Sequence, residues 1–187
     1  MSVASFILAS ASPRRVDLLR LLGLTPVEIL PADIDETPCK NELPKDYALR
    51  VASEKAQAVA ALRPGSRILS ADTVVAMGRR VLPKAEDEAT ARDCLKRLSG
   101  RRHQVLTAVA FIDAQGKLHT RLSESRVAFK RLTAQETESY IASGEWNGKA
   151  GGYAIQGLAG GFIPWISGSH SAIVGLPMAE TLALLSR

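Results

Sequence analysis

A mixed α/β fold is what this chain predicts, on three observations. Short apolar runs of strand type alternate with segments of helical period. Two long strand-like runs flank the polar turn Asp113-Ala114-Gln115-Gly116, which favours an antiparallel pair over strict parallel winding. No internal repeat or low-complexity linker interrupts the 187 residues, a length that suits one compact domain or two small lobes and needs no disulfide or structural metal. We expect a single domain over residues 1–187.

Phe6 to Ala9 reads as the first strand. Ser12 is a natural N-cap and Pro13 suits the first helical position, so a helix should run from Pro13 to about Leu22, with Gly23 as its stop. Val27 to Leu30 resembles a second strand, and the proline and acidic cluster of Asp33-Ile34-Asp35-Glu36-Thr37-Pro38 mark a loop. Pro44 to Ala61 is helical by period, and Arg67 to Val75 is a buried-strand candidate ending near Gly78. Glu86 to Leu98 is a further helix closed by Gly100, after which Val105 to Ile112 and Leu118 to Phe129 form the long strands. Thr133 caps a helix to Ala142, a glycine-rich segment extends from Gly144 to Gly175, and Pro177 to Leu185 makes a last short helix.

A net charge of +5 favours an anionic partner, but the basic residues are spread along the chain as local pairs. No long Lys/Arg tract is present and aromatics are only 5%, which argues against a stable nucleic-acid complex. No run approaches the roughly 18 apolar residues of a membrane span, and no secretory leader pattern is visible, so a cytoplasmic location is expected. The two cysteines, Cys39 and Cys94, have no partner at metal-ligand or redox spacing and read as free thiols.

Three places break the local rules. Arg14 and Arg15 lie in the first turn of a helix, where the dipole disfavours cations by about 0.3–1 kcal/mol each, so a phosphate is an obvious compensating group. Lys55 falls on the same face of its helix as Val51, Ala52 and Val59. It either snorkels outward or meets an anion inside. Asp72 interrupts the apolar run of its strand, as a satisfied structural carboxylate or as a base or metal ligand at a strand end. The glycines around Gly151-Gly152-Tyr153-Ala154-Ile155-Gln156-Gly157 suggest backbone lying close to something, such as a planar ligand, and Gln156 as a buried amide would suit the edge of a base.

Other patterns fail inspection. Gly144-Glu145-Trp146-Asn147-Gly148-Lys149-Ala150 is one residue short of a P-loop and has Ala150 where a hydroxyl should hold magnesium. Gly168-Ser169-His170-Ser171-Ala172 has histidine at the centre of a would-be nucleophile elbow, and His103, His119 and His170 share no zinc-site spacing.

Five ordered blocks closely resemble the Maf family of nucleoside triphosphate pyrophosphatases. They are Ser10-Ala11-Ser12-Pro13-Arg14-Arg15, Asp33-Ile34-Asp35-Glu36, Ser53-Glu54-Lys55-Ala56, Ala71-Asp72-Thr73-Val74-Val75, and Lys149 through Gly157. The resemblance implies a mixed, largely antiparallel sheet flanked by helices, with two lobes around a deep nucleotide cleft, as in the inosine triphosphatase-like fold. It implies a divalent metal, Mg2+ or Mn2+, and cleavage between the α and β phosphates to give a monophosphate and pyrophosphate. By the same resemblance Asp72 is the proton acceptor, and Arg14, Thr73 and Gln156 match specificity positions. Arg15, Lys55 and Lys84 match basic residues around the triphosphate, Ser10 and Ser12 belong to the phosphate-binding turn, and Glu36 is an acidic residue that helps to hold the metal. The Tyr-x-Ile-Gln pattern looks like the branch acting on dTTP and UTP; the alternative is the 7-methyl-GTP branch. One departure is that Lys84 follows Pro83, where the family usually places a lysine directly before proline. The resemblance also implies a homodimer. A non-catalytic, nucleotide-binding regulator of septum formation is a rival reading, but a pure binder gains nothing from a carboxylate beside a triphosphate.

Overall fold

The computed structural model describes residues 4–186. Nine strands and six α-helices are present among them: β1 (Ile7–Leu8), α1 (Pro13–Leu21), β2 (Glu28–Ile29), α2 (Pro44–Leu62), β3 (Ile68–Met77), β4 (Arg80–Leu82), β5 (Lys84–Ala85), α3 (Glu88–Leu98), β6 (Arg102–Ile112), β7 (Leu118–Ala128), α4 (Ala134–Ser143), β8 (Lys149–Ala150), β9 (Trp165–Ser167), α5 (His170–Val174) and α6 (Met178–Leu185). Seven strands form one mixed sheet of order β2-β1-β3-β6-β7-β9, with β4 paired to β3, and β5 and β8 form a separate ribbon. The sheet is mixed because β1 runs parallel to both β2 and β3, whereas β4 and β9 pair antiparallel.

The chain divides into two compact units: residues 1–72, 107–123 and 175–187, and residues 73–106 and 124–174. In the first unit, α2 lays Ala48, Val51, Ala52, Ala56 and Val59 on fully buried positions, as its 3.6-residue period requires, and β3 contributes Ile68 and Leu69. Ser70 is buried on that strand and donates to the Ala52 carbonyl of α2 at 2.5 Å, so the hydroxyl is satisfied by the helix it faces. The hairpin turn after β6 closes through Asp113, whose backbone N–H donates to the Lys117 carbonyl at 3.1 Å and whose carboxylate accepts from Gln115 and Lys117.

The second unit has its own core, in which Leu95 and Leu98 of α3, Val105 of β6, Val127 of β7 and Tyr140 of α4 are buried together. Helix α3 starts on Asp87, whose side chain accepts from Thr90 N–H. Helix α4 starts on a full capping box between Thr133 and Glu136 and ends on Gly144 in the left-handed region.

Two stretches carry elements that the sequence pattern does not show. Strands β4 and β5 were hidden because Gly78 and Pro83 break the stretch into pieces too short to show a period. The glycine-rich segment also carries structure: β8, a 3-10 turn at Leu158–Phe162, β9 and α5 all lie between Gly144 and Gly175.

Candidate active site

In the first unit the strand and helix periods bring two charged side chains together. Residues 70 and 72 share one face of β3, two residues apart, and residues 52 and 55 share one face of α2, three residues apart. Ser70 meets Ala52, and the next step along each element sets Asp72 against Lys55. The Lys55 Nζ donates to Asp72 Oδ1 at 2.9 Å and stands equally close, 2.9 Å, to Glu36 Oε1. Asp72 is 4% exposed and Lys55 8%. Asp72 is therefore neither lone nor unsatisfied, and Lys55 does not snorkel: each charge resolves the burial cost of the other.

Glu36 reaches this point from the predicted loop, which two residues not picked out from the sequence hold in place. Tyr47 donates from its hydroxyl to the Glu36 carbonyl at 2.9 Å, and burial, with the charges of Asp72 and Glu36, pushes its phenol up to about 12. Arg50 grips Glu42 with two bonds, Nε to Oε1 at 2.7 Å and Nη2 to Oε2 at 2.9 Å, and also donates to the Thr37 carbonyl at 3.1 Å. A signal existed for Tyr47, since positions 47, 51 and 55 repeat at four-residue steps on α2.

Helix α1 supplies the arginines. Ser12 is its N-cap and Pro13 its first residue, as predicted, but the Ser12 side chain makes no capping bond. Its N–H instead donates to Ser10 Oγ at 3.2 Å. Arg15 is 9% exposed; its Nη1 donates to the same Ser10 Oγ at 2.8 Å and its Nε to the Gly175 carbonyl at 2.9 Å. Burial holds both Arg14 and Arg15 below the usual guanidinium range, opposed at Arg15 by Asp72 and Glu36 and reinforced by Arg14. Poorly hydrated guanidiniums at a helix N-terminus favour an anion there.

Among the described residues no group of three or more His, Cys, Asp or Glu is placed to hold a metal. Two carboxylates, Glu36 and Asp72, do converge on one cation, the Lys55 ammonium. Mg2+ in nucleotide enzymes is held by one or two carboxylates together with substrate phosphates, so this hard-oxygen donor pair fits a divalent ion that shares its shell with a nucleotide.

The remaining predicted residues belong to the second unit. Thr73 follows Asp72 on β3, and strand alternation turns it to the opposite face. Lys84 is exposed on β5, in register with Ala150 of β8, and the Pro83 carbonyl accepts from Gly151 N–H at 2.9 Å. Gly151 and Gly152 have φ of +65° and +68°, and a Cβ at Gly151 would stand 2.8 Å from Val75. What the glycine backbone approaches is thus the core of its own unit, not a planar ligand. Gln156 is exposed in a turn, which corrects the expectation of a buried amide. Its neighbour Tyr153 is 6% exposed and bonds through its hydroxyl to His103 Nε2 at 2.8 Å. Burial pushes His103 down to about 4, so the imidazole is neutral at ordinary pH. Cys39 is exposed; Cys94 is buried, which pushes its thiol up to about 11 and leaves it inert.

A family model described as Maf-like protein matches residues 5–187. The chain belongs to the Maf family. Its relatives include the dTTP/UTP pyrophosphatase of Novosphingobium aromaticivorans, 61% identical over 179 residues that cover 96% of this chain and 89% of that protein. The dTTP/UTP pyrophosphatase of Caulobacter vibrioides is 60% identical over 97% of this chain and 94% of its own, and that of Rhodospirillum rubrum 58% identical over 99% and 88%. The five blocks that carried the resemblance all lie inside the matched Maf span.

Proposed function

We propose that this Maf protein hydrolyses dTTP and UTP to the nucleoside monophosphate and pyrophosphate. The Asp72–Lys55–Glu36 cluster, buried at Asp72 and Lys55 and with the Arg15 guanidinium under the charge of both carboxylates, carries the chemistry of this reading. The substrate class rests on 58–61% identity to three proteins named dTTP/UTP pyrophosphatase.

A triphosphate carries about four negative charges, and the charge that develops during attack must be met by preorganised cations. Arg14, Arg15 and Lys55 meet phosphate oxygens, with Lys84 as a further cation. Ser10 Oγ already accepts two hydrogen bonds, so its proton is left to donate to a phosphate oxygen, and Ser12 and the first-turn N–H groups of α1 complete that turn. Asp72 takes the proton of the attacking water, a role typically worth about 10²–10⁴ in rate. Glu36, with Asp72, would hold a divalent cation, Mg2+ or Mn2+, which supplies charge neutralisation on the phosphates when bound. Gln156 and Thr73 read the pyrimidine.

The reading includes a housecleaning role on the cytoplasmic nucleotide pool by a homodimer. No described helix is long and apolar enough to cross a membrane. Pyrophosphate release from a panel of normal and modified nucleoside triphosphates, with and without Mg2+, tests it. Orthophosphate as the product would put the cleavage elsewhere, and a preference for 7-methyl-GTP would move the chain to the other branch.

A further inference from the structure

We propose that Glu145, outside all five motif blocks, is the positioning residue for the turn that carries Gln156 and so sets how that amide meets the base. The inference rests on the reading of Gln156 as a base-contacting residue. An exposed amide discriminates between bases only if its backbone is fixed before the ligand arrives, because ordering a loose loop on binding consumes affinity.

The turn is fixed at both ends, in different ways. Before Gln156, Tyr153 is tied to His103 and the Ala154 N–H donates to Tyr140 Oη at 3.3 Å, all from within the core. After it, Leu158 N–H donates to Glu145 Oε2 at 2.8 Å. That bond is charge-assisted and reaches thirteen residues back along the chain. Gly157 shows the same contact from the neighbouring residue. Its φ of −110° and ψ of −153° are extended values that any residue adopts. A Cβ there would nevertheless stand 2.1 Å from Glu145 Oε2. A side chain at 157 would push the flexible Glu145 carboxylate off this seat, while the backbone itself places no demand for glycine. The Gly157 N–H then closes the turn on the Ala154 carbonyl at 3.1 Å, with Gln156 at its tip.

The experiment compares kcat and KM for dTTP, UTP and a purine triphosphate in wild type and four variants whose folding is checked by melting temperature. Glu145→Ala should raise KM for dTTP and UTP about fivefold, leave kcat within about twofold, and narrow the preference over the purine. Glu145→Gln keeps an acceptor for Leu158 N–H and should rescue KM to within about twofold of wild type. Gly157→Ala should raise KM like Glu145→Ala, and the double variant should be no worse than Glu145→Ala alone, since both changes break one contact. If Glu145→Ala does not fold, Glu145→Asp, one methylene shorter, must show the same rise in KM. Unchanged KM in a folded Glu145→Ala or Glu145→Asp protein overturns the proposal. So does failure of Glu145→Gln to rescue, or an additive double variant. If wild type shows no preference for dTTP and UTP, it is the reading of Gln156 that falls.

Discussion

In the first unit, Lys55, Asp72, Glu36 and Arg15 place four charged groups within reach of one another, all but Glu36 essentially removed from water. In the second, the polar groups around Tyr153 are neutral: His103 is deprotonated by burial, and the phenols of Tyr153 and Tyr140 are held above their ordinary range by the same cause. The difference follows the work proposed for each. Charge on a phosphate is met by fixed charges whose cost of burial is offset mutually before the ligand arrives. A base edge is read by neutral donors and acceptors, for which the requirement is a rigid backbone rather than a strong field.

The sharpest way to break this comparison is Asp72→Asn, which keeps the shape and an acceptor for Lys55 but removes the base. We expect kcat for pyrophosphate release to fall by about 10² or more, with Glu36 still facing Lys55 and the melting temperature little changed. Near-normal turnover would remove Asp72 from catalysis. Next, Gln156→Glu should lower kcat/KM for dTTP and UTP by about tenfold while leaving the charged cluster intact. An unchanged substrate ranking would separate the pyrimidine reading from the pyrophosphatase reading and defeat only the former.

Lys55→Met sharpens the charged side of the contrast. The side-chain stem survives, but Asp72 and Glu36 are left facing each other without the ammonium, and breaking a buried pair in this way typically costs about 3–5 kcal/mol. The melting temperature should drop at neutral pH and be partly recovered by added Mg2+, read by thermal denaturation without nucleotide. No recovery would argue against Glu36 and Asp72 as a cation-holding pair.

The smallest effect belongs to the neutral side. His103 is pushed down to about 4 when folded, from an ordinary value of 6.5, so the unfolded chain binds the additional proton between these pH values. Its contribution to stability is therefore complete above about pH 6.5 and is lost as pH falls toward 4. A His103→Phe variant should show a flatter dependence of melting temperature on pH across that window, whatever its absolute stability. An unaltered slope would mean that other groups carry the acid sensitivity.

Much of this was legible in the chain. The start of α1 at Ser12, the apolar face of α2, the strand interrupted by Asp72 and the helix cap at Thr133 are local signals, and each appears where local physics puts it. Lys55 and Asp72 could each be singled out because a charge in an apolar stripe is a violation visible in one dimension. What the stripe could not show was that the two violations are each other's solution. Pairing residues 55 and 72 depends on the register of α2 against β3, which is a tertiary quantity. The same holds for Gly157, whose backbone is ordinary and whose missing side chain leaves room for the Glu145 carboxylate, and for Gln156, which lies exposed in the turn that Gly157 closes. Periodicity and turn chemistry act between neighbours and are written in the sequence; the partner of a buried charge, the atom that crowds a glycine and the exposure of a turn residue are set only when distant segments pack.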